Sequence, residues 1–346
     1  MKRTFKLTLV LILLANIIAS ASGSDYSKTI RKGWSKSSVS ALKISNKFGE
    51  IKINDMGGDS VTIKVLITID NGSPSKAKEL MNKISIDFDK SGGTVSATTE
   101  IDGNFNGNNS FSIDYLVNIP KDRDLDISNK YGNLIMNDLD AKGNFEVNYG
   151  SITAGNMKSP AGNPIRIVSS YGKADLESIN DAIMEFKYSS LNIGEINQLE
   201  LESKYSPTIN LHKVVNLTLD SRYEEIKIDE VDQLKSVSKY TSYKIGLLNE
   251  SFDLDTGYGS VRIDKVNEKF SKIRIENSYG GINIGLNDLS YKIQAECHYC
   301  DLKYPENRFR GNKISDNQTN TIEGTVGSGG ASVVINSRYG GIKLGE

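Results

Sequence analysis

Histidine and cysteine are scarce in this chain: two of each in 346 residues. That scarcity excludes a multi-histidine metal centre and a disulfide-rich scaffold. Net charge is also nearly missing, at −1. Residues 1–21 carry three positive charges and no negative one, so the chain without them stands at −4. A strongly basic nucleic-acid binder is therefore excluded. Proline numbers six, and apolar residues make up only 38%. Beyond the N-terminus no stretch of 18 apolar residues occurs, so a mature chain has no transmembrane segment.

The N-terminus reads as an address. Lys2, Arg3 and Lys6 precede an apolar run from Leu7 to Ile18, and Ala19-Ser20-Ala21 offers a small-residue exit. This is the pattern of a secretory signal peptide over 1–21. The run is too short to span a bilayer comfortably. No cysteine follows it, so a lipoprotein anchor is not expected. The expected location is outside the cytoplasm: periplasm, cell surface or medium.

What the chain has in abundance is a repeat. Asn/Ser-x-Tyr-Gly recurs with its aromatic at Phe48, Tyr131, Tyr149, Tyr171, Tyr188, Tyr205, Tyr223, Tyr240, Tyr258, Tyr279, Tyr299 and Tyr339. Eleven of the 16 tyrosines hold this one position, so tyrosine usage is architectural. From Tyr131 to Tyr299 the spacing is 17–22 residues; Phe48 to Tyr131 is 83 and Tyr299 to Tyr339 is 40. Apolar pairs stand six and four residues before the aromatic, as in Leu199/Leu201 and Ile273/Ile275. Further pairs stand three and five after it, as in Ile226/Ile228 and Ile282/Ile284. Alternation at period two means two short strands flanking a corner, with one apolar face. The glycine after the aromatic is expected to supply the backbone angles of the bend.

A unit of this size cannot bury its apolar face alone; stacking on equivalent units does it. The expected fold is all-β: a parallel β-solenoid of about twelve coils, with an N-terminal capping insert of strands and one short helix. A leucine-rich repeat is set aside because its signature is missing, and a propeller because every coil carries the full motif. The expected organisation is a linker at 22–37, a first coil at 38–59, the capping insert at 60–118, and solenoid repeats at 119–346 with an irregular loop at 305–330. Within the insert, Val61 to Ile69, Ile84 to Phe88, Thr94 to Thr99 and Phe111 to Ile119 alternate as strands. Pro74 to Ile84 reads as a helix with Ser73 as its cap, and Asp102 to Asn109 as a loop.

The aromatic column is expected to form a structural ladder directed into the stack, where Tyr205→Ala would leave a cavity costing about 3–5 kcal/mol. Two residues earlier, Asn, Ser or Thr fills nine of twelve positions, Asn46, Asn129 and Ser203 among them. These share the parity of the apolar face and can hydrogen-bond along the column. Cys297-His298-Tyr299-Cys300 lies in the strand-corner repeat rather than at a helix start. A disulfide clamp or two buried thiols is expected there, rather than a redox or zinc site. Just before the aromatic, Lys47, Lys130, Lys187, Lys204, Arg222, Lys239 and Arg338 form an outward basic column. Lys187, Lys204, Arg222 and Lys239 are its candidate anion-binding stripe. An acidic column two residues earlier, including Glu185, Glu202 and Asp220, neutralises it. Parallel β-helix folds also host polysaccharide lyases and hydrolases. Here nothing breaks the repeat to build a cleft with paired carboxylates, so no catalytic, cofactor or metal residues are assigned.

The repeated Asn-Lys-Tyr-Gly and Ser-Tyr-Gly-Gly-Ile-x-Ile units resemble the adhesin-like domains of bacterial envelope proteins. So do Leu116-Val117-Asn118-Ile119-Pro120-Lys121 and Asn336-Ser337-Arg338-Tyr339-Gly340-Gly341-Ile342. The resemblance covers roughly residues 38–346. It implies an exported, non-enzymatic β-solenoid that works as an adhesin-like binding module, with polysaccharide or a surface protein of envelope or host as partner. The alternatives are a periplasmic structural or envelope-signalling domain and, third, a glycan-active β-helix enzyme.

Overall fold

A computed structural model describes residues 25–56, 58–70, 73–103 and 110–345. The signal peptide expected at 1–21 lies outside them, as does most of the loop expected from Asp102 to Asn109. The described residues are all-β apart from one α-helix and two short 3-10 turns.

The regular part follows from the period-two pattern. Strands Lys173–Lys187, Ser190–Lys204, Ile209–Arg222, Glu225–Lys239 and Ser242–Gly257 lie side by side in parallel. Equivalent residues are in register, so Leu199 pairs with Leu217, Leu217 with Leu234, and Leu234 with Phe252. Each inward column is therefore a stack of like side chains, and these four are all buried. One strand carries the chain from one tyrosine corner to the next, running the second half of one coil into the first half of the following one. A coil exposes its apolar face to nothing but its neighbours, which is why the stack is the folding unit.

The N-terminal end is closed by residues from both sides of the first coil. Thr94–Ile101 lies parallel to Ala41–Lys47, and Ser110–Ile119 parallel to Ile51–Asp55. Outside these the pairing turns antiparallel: Ile84–Ser91 on Thr94–Ile101, and Ser60–Asp70 on Ser110–Ile119. The helix Pro74–Asn82 buries Ala77 and Leu80 beside them. Ser73 precedes it without a side-chain capping bond. The stretch expected as a linker at 22–37 is instead largely a strand, Asp25–Ser35, antiparallel to Ser60–Asp70 over its whole length. Its charges hide the alternation, but Ile30 and Trp34 pack on the core and its backbone satisfies the edge of Ser60–Asp70.

At the C-terminal end the coils do not stack in chain order. Lys272–Ser278 pairs with Ala331–Arg338, which in turn pairs with Tyr291–His298, all in parallel. The last coil of the sequence is thus inserted between those of Tyr279 and Tyr299. Residues 305–330, expected as an irregular loop, form a hairpin of Phe309–Ser315 and Thr319–Val326 laid antiparallel on Tyr291–His298. Ile322 and Val326 are buried, so the hairpin covers the terminal coil and returns the chain to fill the gap.

Candidate functional site: an exterior tyrosine ladder

Every corner aromatic has a left-handed backbone, with φ between 52° and 63°. Its N–H donates to a carbonyl of the neighbouring coil, as Tyr131 does to Asn148 and Tyr149 to Ser170, both at 2.9 Å, except that Tyr299 donates to Gln318 in the turn of the C-terminal hairpin. None of the corner glycines has positive φ. They are needed for a different reason. A Cβ on Gly132 would stand 1.8 Å from the Gly49 carbonyl oxygen, and one on Gly340 2.0 Å from that of Gly280. Glycine here permits close approach of coils rather than the bend itself.

The left-handed corner throws the ring outward. The tyrosines are 44–52% exposed, which corrects the inward ladder expected from the sequence. The residue after the aromatic takes the inward place instead, and it has room for little. Tyr205→Ala therefore removes stacking rather than opening a core cavity. The loss is two ring contacts, to Tyr188 at 5.2 Å and Tyr223 at 5.0 Å, or about 1–3 kcal/mol. Glycine tolerates the left-handed corner, so Tyr205→Gly is expected about 1 kcal/mol more stable than Tyr205→Ala by urea denaturation. The usual order, alanine above glycine, would contradict this placement.

The rings form one continuous stack. Centroids lie 4.7–5.2 Å apart and the planes are within 20° at every step from Phe48 through Tyr131 to Tyr279, then Tyr339, then Tyr299. Phe111 covers the free side of Phe48 at 5.0 Å. Stacking occupies the ring faces, so the ladder offers partners its C–H edges and a file of phenol hydroxyls.

The basic column runs beside it. Lys130 Nζ lies 5.1 and 5.9 Å from the centroids of Tyr131 and Tyr149. Lys187, Lys204, Arg222 and Lys239 are neighbours on successive coils. Lys204 contacts Glu202 at 2.5 Å and Arg222 contacts Asp220 at 3.8 Å. The Lys204 hydrogen bond holds the Glu202 carboxyl below its ordinary range. Lys187 and Lys239 have no ion pair among the described residues, and Val237 stands exposed where the acidic column would serve Lys239. Lys47 and Arg338 flank the ladder nearer its ends.

The small polar column is buried and bonds between coils. Asn129 Nδ2 donates to the Gly49 carbonyl at 2.9 Å, and Ser238 Oγ to Thr256 Oγ1 at 2.8 Å. Four coils carry a hydroxyl or carboxylate in the glycine place; Thr241 accepts from Ser221 Oγ at 3.1 Å, and the other three are linked through the backbone. Ser189, Ser206 and Glu224 each accept from the preceding coil's N–H: Gly172 to Ser189 Oγ, Ser189 to Ser206 Oγ, and Ser206 to Glu224 Oε1. Sequence reasoning missed Glu224; the signal open to it was a carboxylate standing where other coils carry glycine. It is 7% exposed, accepts from Ser203 Oγ at 2.6 Å, and leaves Oε2 without a partner. Burial pushes its carboxyl up to about 7.

Cys297 and Cys300 are disulfide-bonded across the corner of Tyr299, with Cα atoms 5.5 Å apart. The loop is short, so replacing both by serine is expected to cost about 2 kcal/mol. The check is a thermal melt compared with that of the oxidised parent, with the reduced parent as the control expected to match the variant. His212 pairs with Asp229 at 2.7 Å, and His298 with Glu296 at 2.5 Å. Among the described residues no three His, Cys, Asp or Glu side chains are grouped to hold a metal ion. No described helix is long and apolar enough to cross a membrane.

These features define a class: an all-β repeat protein with its aromatics stacked on the outside. More particularly, residues 39–345 match the model of the Toastrack DUF4097 family, and the chain belongs to that family. Solved structures show weaker likeness. A provisionally named adhesin from Parabacteroides merdae is 16% identical, with 74% of this chain and 95% of that one covered and a TM-score of 0.35. A provisionally named cell adhesion protein from Clostridium sporogenes is 9% identical, with 92% and 98% covered and a TM-score of 0.20. A provisionally named lipid-binding protein from Parabacteroides distasonis is 13% identical, with 76% and 97% covered and a TM-score of 0.34. The search of curated proteins finds no match.

Proposed function

We propose that the chain is an exported, non-catalytic interaction module of the bacterial envelope. In this reading it is a parallel solenoid of about twelve coils that engages an extended partner, polysaccharide or surface protein, along its tyrosine corner. One observation carries this: a single exposed group repeats at 4.7–5.2 Å over the length of the stack. A periodic surface suits a periodic partner, because many weak contacts sum through effective concentration. Contacts fall on ring edges and hydroxyls, with Lys187 and Lys239 adding unpaired positive charge. Lys204 and Arg222 are neutralised by Glu202 and Asp220, so electrostatics there steers more than it holds. Export rests on the charged, apolar and small-residue order of residues 1–21.

The test is an impermeant protease applied to intact cells, with a lysed control. Cleavage on intact cells is expected. Cleavage only after the outer barrier is opened would remove adhesion and leave a periplasmic structural role.

A further inference from the structure

Among the described residues, the strand Asp25–Ser35 is paired on one side only. Its partner is Ser60–Asp70, in unbroken antiparallel register from Asp25 opposite Asp70 to Ser35 opposite Ser60. Ser60–Asp70 is itself covered on its other side by Ser110–Ile119. Between Tyr26 and Trp34 no described backbone group bonds outside the ladder to Ser60–Asp70. In an antiparallel pair alternate residues turn their N–H and C=O groups away from the partner, so about half of this strand's backbone groups face outward. No proline and no shift of register interrupts the edge. Ile84–Ser91 and Phe309–Ser315 are also paired on one side only, and both are shorter.

The edge is basic. Lys28, Arg31 and Lys32 crowd its middle, and none of them has an ion pair among the described residues. The one acid of the strand, Asp25, stands at its first position. Arg31 lies directly opposite Lys64, and like charges so placed repel. Lys28 and Lys32 fall on the other face, in line with Ile30 and Trp34. Ile30 and Trp34 pack half-buried on the core. Lys32 Nζ lies 5.9 Å from the centroid of the Phe88 ring, and the Trp34 ring 6.2 Å from it. On the coils the arrangement differs: Lys204, Arg222 and Arg274 each have an acid beside them. Cations on an edge keep like edges apart. Left unpaired, they also attract the opposite charge.

We propose that the free edge of Asp25–Ser35 takes an extended acidic peptide of a partner protein as an added strand. The backbone ladder supplies affinity, and alternate side chains supply the choice of partner. Residues directly opposite across a pair of strands share a face. On one face, carboxylates of the peptide meet Lys28 and Lys32, and apolar side chains meet Ile30 and Trp34. On the other, a carboxylate meets Arg31 and relieves its repulsion from Lys64. Ile84–Ser91, the other open edge at this end, carries Asp87 and Asp89 against one lysine, Lys90, and turns the same peptide away. The site uses no ring of the tyrosine ladder, so it stands or falls apart from the corner reading.

The test is a fluorescence titration of the full chain. Trp34 is the only tryptophan, so its emission reports on this edge alone. The probe is the capped peptide Val-Thr-Glu-Glu-Val-Thr-Glu, which in antiparallel register sets its glutamates against Lys32, Arg31 and Lys28. A saturable change in emission is expected, and none with lysine in place of each glutamate. Lys28→Gln and Arg31→Gln should each weaken binding about three- to fivefold, and added salt should shrink the effect. Neither side chain has a hydrogen bond or ion pair among the described residues, so both variants keep the edge. Two forms of the probe, N-methylated at alternate residues, test the ladder: one set should abolish binding and the other preserve it. No binding, equal binding of both methylated forms, or affinity unchanged in both variants overturns the proposal. Self-association of the chain that Asp87→Lys with Asp89→Lys removes would give the edge to a second copy's Ile84–Ser91 and overturn the peptide. Tyr205→Ala should bind the probe as the parent does, so loss of the corner reading leaves this one intact.

Discussion

Gly280→Ala is expected to lower stability by about 3 kcal/mol, within the range of severe single substitutions. An ideal Cβ there stands 1.7 Å from the Gly259 carbonyl oxygen and 2.5 Å from its carbon. The obstacle is backbone of the next coil, not the tip of a side chain, so no rotamer change relieves it. Both coils are held by parallel ladders, Val261–Val266 on Ile282–Ile284 and Ile282–Ile284 on Ile342–Leu344. Making room means spreading the coils, which also strains the ring stack between Tyr258 and Tyr279. Gly58 has nothing within 4 Å of its Cβ position, so Gly58→Ala should stay within about 0.5 kcal/mol. Urea midpoints of the two variants make the comparison. Equal midpoints would show that the corner relaxes freely and that its glycines are dispensable.

The second large effect is a pH dependence centred on Glu224. Burial raises its carboxyl from 4.5 to about 7 in the folded chain. The folded state then holds the proton more tightly than the unfolded one. Stability from this group is fully present below about pH 4.5 and is lost as pH rises towards 7, after which the loss is constant. The shift corresponds to about 3 kcal/mol at its upper limit. Glu224→Gln has no charge to bury and keeps the acceptor oxygen for Ser203 and Ser206. Its stability relative to the parent should climb between pH 4.5 and 7 and then level off. Exposed carboxylates such as Glu202, held low by Lys204, act in the opposite sense in both proteins and cancel in the difference. Urea melts of parent and variant at pH 4, 6 and 8 measure it. A difference that stays flat with pH would mean water reaches Oε2 and the carboxyl titrates normally.

Glu224 also shows how far a repeat can be read. Its place was legible because glycine follows the aromatic in seven of the twelve coils. Its burial was not, because period two places Tyr and the following residue on opposite faces only if the corner keeps extended geometry. The same assumption sent the rings inward. A left-handed residue at the corner breaks the parity, and nothing in the alternation reports the sign of φ. The end of the ladder at Tyr299 was equally hidden. It depends on which coil ends the stack, and the motif around Tyr299 reads like that around Tyr339.

The sequence by itself determined the coil: its two strands, its inward pairs such as Leu199 and Leu201, and the recurrence of one aromatic corner. These are local properties, set by alternation against the pleat and by the need to stack a unit too small to bury itself. Only the tertiary structure decided the rest. It set the order of the last coils, the strand at Asp25–Ser35, the hairpin over the terminal coil and the outward throw of the rings. The physical reason is shared. Every coil presents nearly the same edge, so the motif does not specify its neighbour. Partners are chosen by which edges remain open once the chain is folded, and by a backbone conformation that the packing of adjacent coils imposes.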